Sequence, residues 1–412
     1  MAATPLELAK TFGTPLLAID ELHLRSIMRR FRKAFANPRW HCSLFYAAKA
    51  LALQAIAKIA HEEGLGFDAC SEGELQTALQ AGVPPSECIL HGCAKTEREL
   101  ELALRSRIRF IVIDNREELV ALCRLAELAN VRVPILIRVN VGLSAPTIAQ
   151  IQTSSPESKF GFPIEDGQAR AAAIEIRRSP SLELCGLHCH IGSQITDLSV
   201  YAEVVYRLSV LALAFEREDV SCMVLNVGGG LGVPEHDTDP NGSTPEAWAK
   251  TLFVALDKWF AGNENRRRLM IEPGRAIVAP AGMTLYSVGV RKKMANGDQA
   301  VIVDGGMSDN PRPALYEAAY DVRVASRPEA APDGKYWIFG RHCEADLLFR
   351  AVPLPNPQAG DVLLVRNTGA YTYSMASNYN RFPKPAVVLT NGDSARIIAK
   401  REPLEHVLDL DL

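Results

Sequence analysis

One alternation constrains this chain more than any other feature. Short runs of apolar, β-branched and aromatic residues recur through its first two-thirds: "CSLFYAA" (42–48), "LGFDAC" (65–70), "CILHG" (88–92), "FIVIDN" (110–115), "PILIRVN" (134–140), "LCGLHCH" (184–190), "MVLNVG" (223–228) and "RLMIEPG" (268–274). Between most of them lie longer stretches with helical apolar spacing, such as "SEGELQTALQAG" and "REELVALCRLAELA". Nearly unbroken apolar runs suit strands buried on both faces, and strands separated by helices pair in parallel. Eight such units predict an α/β protein that opens with a closed (β/α)8 barrel of the TIM type. An open doubly wound sheet is the alternative.

Past Arg275 the texture changes. "MTLYSVGVRKK", "QAVIVDGG", "YDVRVAS", "YWIFG", "DVLLVRNTG", "PAVVLTNGD" and "SARIIAKRE" are short strand-like runs with turn residues between them. They predict a second, mostly antiparallel β domain. The expected division is a barrel over 21–276 and a β domain over 277–412, with the early strand at 13–20 joining the latter. A chain of 412 residues, 48% hydrophobic and 23% charged, has the apolar mass for both. The segment 141–158 is expected to be a long, mobile loop over the barrel mouth.

A formal net charge of −3 points to neither nucleic acid nor an anionic membrane. The basic cluster "RSIMRRFRKAF" (25–35) has helical spacing and is expected to be a solvated helix face. The N-terminus lacks a secretory pattern, and no run of ~18 apolar residues suggests a membrane span. Nine cysteines without a CxxC pair suit reduced, cytoplasmic thiols.

The polar residues fall into register with the strands. Lys49, Asp68, His91, Asp114, Asn140, His190, Gly228 and Glu272 all sit at or just past a strand's carboxyl end. In a barrel that end carries the active site. Lys49 therefore interrupts "LFYAAKALALQAIA" because it projects into a shared pocket. "VGGGLG" (227–232) suits either an anion cradle of backbone N–H groups or a plain turn. "IEPGR" (271–275) places an acid and an arginine around a Pro-Gly turn, for a ligand or for a salt bridge. In "GLHCHIGSQ" (186–194), His188 and His190 lie on one side of a strand, but no third ligand follows at a recognisable spacing, so no metal is expected.

Taken together, "YAAKA", "HIGSQ", "VGGGLG", "EPGR", "DGGMSDNPRPALY", "HCEAD" and "TGAYTYSMASNYN" resemble the fold-type III pyridoxal-phosphate decarboxylases of basic amino acids. The resemblance spans about residues 12 to 400 in order and is nearest to the diaminopimelate decarboxylase group. It implies the cofactor pyridoxal 5'-phosphate, held covalently by Lys49. It implies His190 stacked on the pyridine ring, Glu272 paired with the ring nitrogen, and Asp68 and His91 lining the cofactor pocket. Ser193, Gly228, Gly229, Gly230, Gly274, Arg275 and Tyr371 would surround the phosphate and its neighbours. Arg275, Arg312, Tyr316 and Tyr371 would hold the substrate, chiefly its distal carboxylate. Cys343 and Glu344 would reach the site of a partner copy in a head-to-tail homodimer. There Glu344 would receive the distal amino group, and Cys343 would be the proton donor.

The implied reaction is decarboxylation of meso-diaminopimelate to L-lysine. Two departures bear on the substrate: "HGCAK" where the family commonly has "HGNNK", and "CEAD" one residue shorter than the usual "CESGD". Three other readings stay open on sequence. They are the same chemistry on an intermediate of a siderophore or antibiotic pathway, an amino-acid racemase, and a non-catalytic regulatory homologue.

Overall fold

The computed structural model describes residues 4–144, 152–234, 243–262 and 267–412. The chain divides into two compact units, one built largely from residues 27–276 and the other from the first 26 residues with 277–412.

In chain order the first strands are β1 (Leu16–Asp20), β2 (His41–Ala47), β3 (Gly66–Ala69), β4 (Cys88–Leu90), β5 (Phe110–Ile113), β6 (Val133–Asn140), β7 (Phe162–Pro163), β8 (Leu182–His188), β9 (Val224–Asn226) and β10 (Arg268–Ile271). Strands β2–β6 and β8–β10 pair in parallel, each with the next, and β10 pairs back onto β2. The ring is closed, which rules out the open sheet. The two-residue β7 adds to the end of β6.

Helices 54–62, 72–80, 97–106, 116–128, 168–178, 199–216 and 245–260 follow successive barrel strands. Several start within a few residues of a strand end because a side chain caps them. Ser71 Oγ accepts the Glu74 N–H, Asn115 Oδ1 that of Glu118, and Thr96 and Glu99 form a reciprocal capping box. Directly after β10 the chain makes just the helical turn Arg275–Val278. The helix that precedes β2 lies beside the first and last barrel helices: Arg29 binds Glu63 and Arg30 binds Glu246, each through two nitrogens. The basic cluster is thus partly tied into the outer ring rather than simply solvated.

The lower half of the barrel interior is apolar, filled by Phe45, Ile89, Phe110, Val112, Leu136, Val224 and Met270. Side chains two apart on a strand share a face. The residues two positions further along therefore point to the same side at the upper rim: His91 above Ile89, Asp114 above Val112, Arg138 above Leu136, Asn226 above Val224 and Glu272 above Met270. On β8 the corresponding pair is Gly186 and His188. Gly186 must lack a side chain, since a Cβ there would sit 2.0 Å from the Val224 carbonyl oxygen. The packing layer thus sets the register of the polar residues above it.

The second unit contains β11 (Gly282–Lys293), β12 (Gln299–Val303), β13 (Val322–Val324), β14 (Gly334–Phe339), β15 (Leu347–Leu354), β16 (Val362–Arg366), β17 (Ala386–Asn391) and β18 (Ser394–Ala399). With β1 they form one sheet, antiparallel except for β1–β17 and β12–β14. β1 lies between β11 and β17, its Leu16 opposite Leu285 and Ala386. Tyr286, Val301, Tyr336, Ile338, Leu363 and Val365 belong to the core of this unit. Among the described residues, no helix is long and apolar enough to cross a membrane.

Candidate active site

The barrel's carboxyl rim gathers charge that the layer below could not tolerate. At its centre is Glu272, 5% exposed. His91 Nε2 lies 2.9 Å from its Oε1 and His188 Nε2 lies 3.2 Å from its Oε2. Asn226 Nδ2 donates a short hydrogen bond to Oε1, and Asn226 Oδ1 accepts the Gly228 N–H at 2.9 Å. Burial alone would raise the pKa of this carboxyl. The interactions with His91 and His188, hydrogen bonds from both rings among them, outweigh it and hold Glu272 well below the usual carboxylate range. Burial pushes His188 down to about 3. Glu272 is therefore an anion at neutral pH, caged by donors, and His188 a neutral one.

Asp68 stands on β3 with its Oδ1 3.5 Å from His91 Nε2 and without a hydrogen-bond partner. Burial raises its pKa to about 6. Lys49 sits in the turn Ala48–Ala50 that follows β2. Beside it, Gly274 packs against the chain so closely that a Cβ would lie 3.0 Å from that of Ala47. His190 lies past the end of β8. Burial, and then the charge of Lys49, keeps its imidazole well below the ordinary range and so neutral. Its Nδ1 accepts the Gly229 N–H at 3.4 Å, which leaves the proton on Nε2.

The triple glycine is required by the packing. Gly228 and Gly230 adopt φ of +68° and +107°, and a Cβ on Gly229 would sit 2.2 Å from the Glu272 carbonyl oxygen. Arg275 Nε donates to Ser193 Oγ at 3.0 Å. A primary amine, a caged carboxylate, a neutral imidazole, a glycine turn and an arginine–serine pair thus share one rim. Together with the unpartnered Asp68 Oδ1 and His188 Nδ1, this donor set fits an aldehyde-bearing pyridinium phosphate: an amine for the aldehyde, an anion for the ring nitrogen, backbone N–H groups and a guanidinium for the phosphate.

Three groups at the rim were not singled out together on sequence. His91, His188 and Glu272 offer ligand atoms within 4.8 Å of one another. The histidine that joins His188 is thus His91 rather than His190. Asn226 and Arg138 were missed, the latter with its Nε 3.7 Å from Asp114 Oδ1. Residues two past an interior apolar position were the signal that would have found both. Of the loop expected over 141–158, residues 145–151 lie outside the described residues. The rest is tied down: Gln152 bridges to Gly192, and Thr153 Oγ1 donates to the His190 carbonyl at 2.6 Å.

The remaining assigned residues lie in the second unit, in two groups. Arg312 is buried, donates to Tyr320 Oη at 3.1 Å, and lies over the rings of Tyr316 and Tyr371 at 5.1 and 5.8 Å. Tyr371 itself has a left-handed φ of +57°. Cys343 and Glu344 are exposed on the turn after β14, where Tyr379 Oη donates to Glu344 Oε1 at 2.6 Å.

Residues 22–279 match the family model for the pyridoxal-dependent decarboxylases, over its pyridoxal binding domain. The chain belongs to the pyridoxal-dependent decarboxylase family. It is accordingly a carboxy-lyase that uses pyridoxal 5'-phosphate. Among the members of this family, the diaminopimelate decarboxylase of Bacillus subtilis is 39% identical, over 99% of this chain and 93% of its own. That of Bacillus methanolicus is 40% identical over 96% and 92%. The crystal structure of the Helicobacter pylori diaminopimelate decarboxylase complexed with L-lysine superposes with a TM-score of 0.90 at 31% identity, covering 98% of both chains. The M. jannaschii enzyme in co-complex with L-lysine gives 0.92 at 30% identity, over 99% and 94%.

Proposed function

We propose that this pyridoxal-phosphate decarboxylase converts meso-diaminopimelate to L-lysine and CO2. The observation that carries the chemistry is the anionic Glu272, fixed by His91, His188 and Asn226 on the rim that also bears Lys49. Support for the substrate comes from relatives named for that activity and from neighbours that bind L-lysine.

When bound, pyridoxal phosphate supplies an electron sink for the pair left behind as CO2 departs. Lys49 is the amine that would hold it covalently. Glu272, already an anion, keeps a proton on the ring nitrogen where negative charge would otherwise accumulate, with no reorganisation during the reaction. Neutral His190 would stack on the ring face. Asp68 and His91 line the pocket, and His91 steadies Glu272. Gly228, Gly229, Gly230, Gly274, Ser193, Arg275 and Tyr371 take the phosphate. Arg275, Arg312, Tyr316 and Tyr371 take the distal carboxylate, Arg312 as a buried cation with a planar fork.

We assign Cys343 and Glu344 to the site of a second copy in a head-to-tail homodimer. Glu344 receives the distal ammonium, and Cys343 returns a proton to the carbon that has lost CO2. We place the enzyme in the cytoplasm, where its nine free cysteines stay reduced.

Two comparisons test this function. Racemisation by the same groups exchanges the α-hydrogen with solvent deuterium and releases no CO2, whereas the proposed reaction releases CO2. Lys49→Ala is expected to lose the visible absorption of covalently held cofactor. An unchanged spectrum contradicts the role of Lys49.

A further inference from the structure

The turn that carries Cys343 and Glu344 is built around a buried carboxylate. Asp346 is 7% exposed, and His342, four residues earlier, is 6% exposed. Asp346 Oδ2 accepts the His342 backbone N–H at 3.0 Å and meets His342 Nδ1 at 2.6 Å. Its Oδ1 accepts the Met307 N–H at 2.8 Å. The Gly340 N–H donates to the Asp346 carbonyl at 2.8 Å and closes the turn outside the carboxylate. The space around the acid admits nothing larger, since a Cβ on Gly306 or Gly340 would lie 2.2 or 2.0 Å from Oδ2.

Two of the three residues enclosed by this clasp, Cys343 and Glu344, reach outward and are held from a second segment. The Cys343 N–H donates to Asn380 Oδ1 at 3.0 Å. The Tyr379 hydroxyl donates to Glu344 Oε1 at 2.6 Å. That second segment is in turn set by the clasp: the His342 ring stacks on Tyr379 at 5.8 Å and 18°, and meets Phe382 edge-on at 5.0 Å. A charge-assisted bond on one side of the imidazole and an aromatic face on the other fix its orientation.

We propose that Asp346 and His342 are positioning residues that hold Cys343 and Glu344 in place, and that Tyr379 aims the Glu344 carboxylate. This rests on the roles given to Cys343 and Glu344 above. The compact "HCEAD" turn then needs no extra residue, because the buried carboxylate, rather than loop length, defines it. Tyr379 occupies one carboxylate oxygen and leaves the other for the distal ammonium, which makes it a determinant of specificity.

The test uses full-length holoenzyme and two variants. In Tyr379→Phe the stack on His342 survives, while the hydroxyl's bonds to Glu344 and to the Asn380 side chain are lost. KM for meso-diaminopimelate is expected to rise about tenfold, with kcat within about twofold. In Asp346→Asn both reaching residues loosen, so kcat should fall by at least tenfold as KM rises. Amide hydrogen exchange over residues 341–346 should then quicken at least tenfold, with exchange in β11 and β12 unchanged.

Unaltered exchange and kinetics in Asp346→Asn overturn the positioning role. An unaltered KM in Tyr379→Phe overturns the aiming role, and that surface variant stands even if Asp346→Asn fails to fold. Faster exchange in Asp346→Asn of a protein whose wild type ignores meso-diaminopimelate supports the clasp and counts against the proposed substrate.

Discussion

His188 Nε2 lies 3.2 Å from Glu272 Oε2, and Nδ1 of the same imidazole is buried with no hydrogen-bond partner. The ring therefore donates from Nε2 and is neutral, pushed down to about 3 by its burial. It serves as a fixed donor to the carboxylate rather than as a titrating base.

This has a consequence for stability. An ordinary histidine, at 6.5 in the unfolded chain, binds a proton that folded His188 refuses until about 3. Between those values the unfolded state holds more protons, so the stability His188 contributes is lost as pH falls from about 6.5 towards 3, by up to about 1.4 kcal/mol per pH unit. Asp68, raised from 3.8 to about 6 by burial, acts in the opposite sense over its own window. The comparison that isolates His188 is the Tm of the wild type and of His188→Gln, both with cofactor, from pH 7 to pH 4. The wild type should lose more as pH falls, and parallel curves contradict the assignment.

Glu272→Gln keeps the size of the side chain and removes its charge. The amide cannot hold a proton on a ring nitrogen as an anion does. We expect kcat for CO2 release to fall by roughly 10²- to 10³-fold, the range typical of losing one preorganised electrostatic contact, while cofactor still binds through Lys49. A loss below tenfold contradicts the role.

Arg312→Ala removes a buried guanidinium that stacks over Tyr316 and Tyr371. If it faces a distal carboxylate, kcat/KM for meso-diaminopimelate should drop on the order of 10²-fold. The loss should be far smaller for an amino acid without that second carboxylate. Equal losses on both contradict the assignment.

The triad His91, His188 and Glu272 has ligand atoms close enough for a metal ion, yet both imidazoles are spent on the carboxylate. Dialysis against a chelator should leave the rate of CO2 release unchanged. Loss of activity restored by zinc contradicts this.

The barrel was legible in the sequence because strands buried on both faces cannot hide their apolar runs, and because the stretches between them keep helical apolar spacing. The polar ends of those strands, read in register, gave Lys49, Asp68, His91 and Glu272 as rim residues. The cage around Glu272 was not legible. It joins β4, β8, β9 and β10 across up to 181 residues, and nothing local says that Asn226 turns inward. β15 was also missed, since "LLFRAVPL" carries an arginine and a proline inside a strand. The clasp of Asp346 on His342 was hidden for a different reason. An acid four residues after a histidine suggests a helix pair, whereas here Gly306 and Gly340 make room for a closed turn.

The measurement that tests the central claim most directly is the release of CO2 from meso-diaminopimelate by purified protein supplied with pyridoxal phosphate, with L-lysine quantified alongside. We expect one lysine for each CO2. No CO2 from a protein that demonstrably carries the cofactor contradicts the proposed substrate.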